Sequence, residues 1–115
     1  MREEFSTELG HIRIYSSVVK QIVNTSIQKN PYIKRLHFSS GLKILRFFRP
    51  STLLPIKVVM AKDKIKVKVP VIVYYEENIS EIAGKIQEEI ATKLQEHIDS
   101  VNFEIDVDIR GIEGR

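Results

Sequence analysis

The sequence predicts an α+β fold of the order β-α-β-β-α-β, with two helices packed on one face of a mixed β-sheet. Three observations predict it. Apolar side chains recur at spacings of three and four from residue 79 to 98, apolar and polar residues alternate from 101 to 109, and two β-branched runs between 56 and 75 are split by a short polar turn. With 115 residues and 43% hydrophobic content, the chain is long enough for one compact domain with its own core and too short for two. Residues 1–115 are therefore read as a single domain.

The first element is a short strand within residues 9–15, where a period of two brings Leu9, Ile12 and Ile14 to one face, with a slip at Gly10. Ser16 or Ser17 then offers a hydroxyl for an N-cap. Val18, Val19, Ile22, Val23 and Ile27 follow at helical spacing, which predicts a helix from about residue 17 to 28, ended by Asn30-Pro31. From Tyr32 to Pro55 neither period persists, and Ser39-Ser40-Gly41 and Pro50-Ser51-Thr52 break the pattern, so one or two irregular strands are expected there.

Residues 56–61 and 65–75 are rich in Val and Ile, and Lys62-Asp63-Lys64 between them has the length and polarity of a hairpin turn. Pro70 cannot donate to a ladder, so a bulge or a sheet edge is expected near it. Asn78-Ile79-Ser80-Glu81 has the form of a capping box, with Glu81 reaching back to an orphan amide. Behind it Ile79, Ile82, Ala83, Ile86, Ile90, Leu94 and Ile98 form one apolar stripe. Burying five such Ile and Leu side chains contributes on the order of 10 kcal/mol before entropy is subtracted. Ser100 is read as the helix breaker. Val101, Phe103, Ile105, Val107 and Ile109 then share one strand face, opposite Glu104, Asp106 and Asp108. A strand, a long helix and a strand make a crossover that lays its two strands parallel in one sheet.

Charge is sorted along the chain. From residue 28 to 68 there are eleven Lys or Arg against Asp63 alone, a balance of +10, and from 76 to 108 ten acids against Lys85 and Lys93, a balance of −8. A surface divided this way is able to pair with itself. The chain has no cysteine, which excludes disulfides, thiolate catalysis and sulfur-ligated zinc, and the cytoplasm is the expected compartment. No run approaches the roughly 20 apolar residues of a membrane span, so membrane association is expected to be peripheral, at the inner face.

Leu9-Gly-His-Ile-Arg-Ile before the first helix, residues 69–75 followed by Glu76-Glu77-Asn78-Ile79-Ser80-Glu81-Ile82-Ala83 with the later Gln87, and the closing run 107–112 ending in Gly-Ile carry a family likeness. Over residues 9–112, most strongly from 65, the chain resembles the alkaline shock and general stress proteins of Gram-positive bacteria. The resemblance implies an abundant cytoplasmic protein associated with envelope stress, without enzymatic activity, and in some members held by a separate membrane anchor protein. Between Asn30 and Pro55 the chain departs from the family pattern, carrying basic and aromatic residues where members have a short Gly-containing turn.

Two constellations stand out. Lys64, Lys66 and Lys68 project from one face of their strand, and Glu104, Asp106 and Asp108 do the same on the closing strand. If both strands turn their apolar faces to the helices, both rows lie on the opposite face, as solvated charges or as an interface where the basic row of one copy meets the acidic row of another. The second is a basic-aromatic segment: Lys34, Arg35, Phe38, Lys43, Arg46, Phe47, Phe48 and Arg49. That mixture suits single-stranded nucleic acid or an anionic lipid surface, and it equally suits aromatics closing one end of a core beneath solvated charges.

Catalytic and metal chemistry find little foothold. His11, His37 and His97 fall on three different elements without paired ligand spacing, and the three carboxylates along one strand lack the converging geometry of a calcium loop. No phosphate loop, nucleophile elbow or dinucleotide fingerprint occurs. The reading is a non-enzymatic scaffold or adaptor of the envelope stress response that needs no cofactor and forms a salt-sensitive homo-oligomer. The alternative is a small RNA-binding domain using residues 34–68, with a lipid-surface binder third.

Overall fold

The computed structural model describes residues 4–6, 13–38 and 54–115. Eight elements follow in order: β1 (Glu4–Ser6), β2 (Arg13–Tyr15), α1 (Ser16–Lys29), β3 (Ile33–Leu36), β4 (Lys57–Met60), β5 (Lys64–Tyr74), α2 (Ile79–His97) and β6 (Asn102–Glu113). The α+β class and the two-helix layer are those the sequence predicts. β1 is an addition, and β2 pairs antiparallel with it in a separate two-stranded sheet. Of the expected opening strand, residues 9–12 lie outside the described residues.

β5 organises the main sheet. One of its edges is taken along its whole length by β6, parallel, from Lys64↔Asn102 to Tyr74↔Glu113. Its other edge is shared end to end: β4 pairs antiparallel with Ile65 to Lys68, and β3 pairs antiparallel with Val71 to Val73. Pro70 falls in the gap between those two partners, where no ladder amide is missed, and its carbonyl accepts from the His37 amide at 2.9 Å. β5 itself is neither bulged nor at an edge near Pro70: the register shifts there leave the extra residues in its partners, Arg110 of β6 and Lys34 of β3, and β5 is central.

The period of two sorts β5 cleanly. Ile65, Val67, Val69, Val71 and Val73 are buried against Val19, Val23 and Ile27 of α1 and Ile82, Ile86, Ile90 and Leu94 of α2 in one core cluster. These α2 residues lie at i, i+4, i+8 and i+12, one stripe of the helix, as the sequence spacing requires.

Helix ends differ from the expectation in detail. β2 runs into α1 without a connecting residue, so the N-cap is Tyr15 in an extended conformation, with no side-chain cap hydrogen bond, and Ser16 and Ser17 lie inside the helix. At the other end Asn30 is extended, as a residue before proline must be, and is buried. Its side-chain oxygen accepts from the Tyr32 amide at 2.9 Å, and its amide nitrogen donates to Glu89 of α2. Asn78 caps α2, accepting from the Glu81 amide at 3.1 Å, but Glu81 turns to the Asn78 side-chain amide instead of a backbone one, so half of the capping box forms. α2 ends at His97, before Ser100, with the Ile98 amide bonded to the Leu94 carbonyl.

Candidate functional site

Residues paired across adjacent strands point to the same side of a sheet. The register Lys66↔Glu104 and Lys68↔Asp106 therefore puts the lysine row and the carboxylate row side by side on the outer face, away from both helices. β4 adds Lys57 and Val59 to that face, opposite Lys68 and Lys66. Val59 is 56% exposed, one of four large apolar side chains exposed among the described residues.

The rows interact unevenly. Glu104 receives two lysines, Lys64 Nζ at 3.6 Å and Lys66 Nζ at 3.9 Å. Both distances exceed a hydrogen bond, so the carboxylate and both ammonium groups keep capacity for other partners. Asp108 meets Arg110 of its own strand at 3.5 Å. Among the described residues, no ion pair within 4.0 Å joins Lys68 to Asp106, although they face each other in the register.

At the far end of the face the pairing is tight. The β6 ladder extends past Gly111, and Glu113 accepts from Arg35 at 2.9 and 3.3 Å and from Lys34 at 2.8 Å. The Arg35 guanidinium first, and the Lys34 ammonium second, hold the Glu113 carboxyl down at about 2. Arg115 bonds Glu76 at 3.2 Å and lies 4.5 Å from the centre of the Tyr74 ring.

Of the basic-aromatic constellation, Lys34 and Arg35 pair with Glu113, Phe38 packs partly buried against the core, and Lys43, Arg46, Phe47, Phe48 and Arg49 lie outside the described residues. Glu113 itself was not singled out by sequence reasoning, because only the registers of β6 and β3 on opposite edges of β5 bring it across that strand to Arg35. Gln87 and Gln95 also gain roles. From one side of α2 they donate to the Ile105 carbonyl at 3.0 Å and the Val101 carbonyl at 2.8 Å, fixing β6 under the helix. Among the described residues no group of three or more His, Asp or Glu converges as a metal site would require, and no helix is long and apolar enough to cross a membrane.

Fold and face together define a two-layer α+β domain whose charged sheet side is left open by both helices. Residues 4–114 match the alkaline shock protein 23 family, described as having a cell envelope-related function, and the chain belongs to that family. No curated protein matches the chain in sequence. Similar solved structures include MamM-CTD 215-293, with 12% identity over 83% of this chain and 99% of that one at a TM-score of 0.45. A zinc form of a MamM CTD variant has 14% identity over 87% and 86% at 0.46, and a manganese form of another has 13% over 83% and 99% at 0.45. Likenesses this loose say nothing of what the chain does.

Proposed function

We propose that the protein is a non-enzymatic scaffold or adaptor of the cell-envelope stress response, working by association of copies through the outer sheet face. The observation that supports this reading is the in-register pairing of the lysine strand with the carboxylate strand, with Glu104 held only loosely by Lys64 and Lys66. Because β5 and β6 are parallel, a two-fold axis lying between them along the strand direction sets each lysine row of one copy over the carboxylate row of the other. Such a face is self-complementary, as a two-fold interface must be. The rows lie on exposed residues, so the attraction is screened beyond about 8 Å at physiological ionic strength.

Light scattering at low and high salt tests this. Dimers at low salt that dissociate as salt rises are expected, and a monomer at every salt concentration rejects the reading. A charge swap sharpens it: Lys64→Glu with Lys66→Glu leaves the face acidic, and Glu104→Lys with Asp106→Lys leaves it basic. Each variant is expected to remain monomeric alone and to associate when the two are mixed.

A further inference from the structure

A cleft of about 740 Å³ lies beside the gap between β3 and β4, lined both by residues of the outer sheet face and by the first turns of α1. Its size falls in the range of small-molecule sites, roughly 300–1,000 Å³. Lys20 of α1, Lys57 of β4, Lys68 of β5 and Arg110 of β6 line it together with His37, against a single carboxylate, Asp108, which is already 3.5 Å from Arg110. Among the described residues Lys20, Lys57 and Lys68 have no carboxylate within 4.0 Å.

Two features show that this concentration of charge is costly to the free protein. Lys57 and Lys68 are direct cross-strand partners, and like charges in that position destabilise a sheet. Lys68 also gains no ion pair from Asp106, its neighbour on the other side. The remaining wall is apolar: Leu54, Pro55, Ile56 and Pro70, with the exposed Val59 at the margin.

We propose that this cleft binds a small phosphate-bearing molecule with an apolar body. Several converging cations answer a group with up to two negative charges and three acceptor oxygens. The apolar wall takes the body of the ligand, and bound phosphate relieves the repulsion between Lys57 and Lys68. The α1 N-terminus, where Ser16 lines the cleft and no acidic residue occupies the first turn, adds to the preference for an anion.

Phenyl phosphate and inorganic phosphate, each titrated into the full chain at low salt with backbone amides followed by NMR, test the site. Saturable shifts at His37, Val59 and Lys68 are expected, with phenyl phosphate binding about tenfold more tightly because its ring is buried on the apolar wall. Flotation with phosphatidylcholine vesicles, with and without phosphatidic acid, tells the sources apart. Retention by phosphatidic acid identifies a lipid headgroup, and binding of the soluble ester alone identifies a soluble phosphate compound. Lys57→Glu is expected to raise the Tm of the ligand-free protein and to weaken binding at least about tenfold, since it replaces a repulsive pair by an attractive one and fills the site with its own carboxylate. Lys64→Glu, in the charge rows but outside the cleft, is expected to bind as the parent chain does, which separates this site from self-association. Absence of saturable shifts and of vesicle retention, or equal binding by Lys57→Glu, overturns the proposal.

Discussion

The two faces of β5 are built on one backbone and answer to different demands. Ile65, Val67, Val69, Val71 and Val73 point inward, and each is at most 1% exposed. Lys64 and Lys66, one residue away from them, keep 38% and 50% of their side-chain surface in solvent and touch a carboxylate only at long range. The inner face holds the domain together by removing apolar surface from water, whereas the outer face contributes little to stability and keeps its charges available. The outer face is not uniform, however. Ile72 has outward parity yet is 6% exposed, and Glu113 is clamped where Glu104 is not.

The contrast gives ordered expectations for substitution. Ile65→Ala removes a fully buried side chain from the core and should cost about 2–5 kcal/mol in urea unfolding. Charge-row association of the folded fraction should be unchanged. Gly111→Ala tests the exception on the outer face. A Cβ there would lie 2.8 Å from Ile72 Cδ1, so the buried isoleucine must shift, and a loss of about 1 kcal/mol is expected. A neutral result would show that Ile72 has room to turn.

Glu113→Gln should lower Tm modestly at pH 7, with an effect that depends on pH. Glu113 titrates at about 2 when folded, below the ordinary carboxylate range, so its stabilising contribution is complete above about pH 4.5 and is lost as pH falls toward 2. The difference in Tm between parent and variant should therefore vanish near the acid end of that window. The side chain is 39% exposed, and added salt should reduce the difference as well. Smallest of all, Lys66→Ala should change the stability of the monomer by no more than roughly 0.5 kcal/mol while weakening any salt-sensitive dimer. A large loss of stability in that variant would erase the distinction between the faces.

What could be read from sequence follows the range of the forces involved. α2, the β4–β5 hairpin and β6 were legible because each repeats a local period over many residues, and residues 101–109 alternate strictly between apolar and polar side chains. That alternation also located both charge rows on one face. β1 was not legible, since three residues carry no period. The alternation was read to Ile109 and the closing run to Ile112, and β6 continues to Glu113 because a bulge at Arg110 lets the pairing with β5 resume at Ile72. The Arg35–Glu113 clamp and the sharing of Glu104 by two lysines depend on register between segments distant in sequence. Composition places such charges in the right numbers but does not match them. Lys57 opposite Lys68 depends on register as well: a turn of residues 62–64 would set Ala61 against Ile65 and Lys57 against Val69, whereas the ladder pairs Met60 with Ile65.

Sharing one edge of β5 between β3 and β4 gives the sheet a seam. Each of these strands is four residues long, they meet at a proline that cannot donate, and neither is hydrogen-bonded to the other in the ladder. Either can peel away while its neighbour stays seated, whereas β5 and β6 remain zipped along eleven paired positions. Hydrogen exchange will therefore be fast and separate in the two short strands and slowest in the β5 amides that face β6, so opening at the seam exposes half of an edge at a time and never the whole of it.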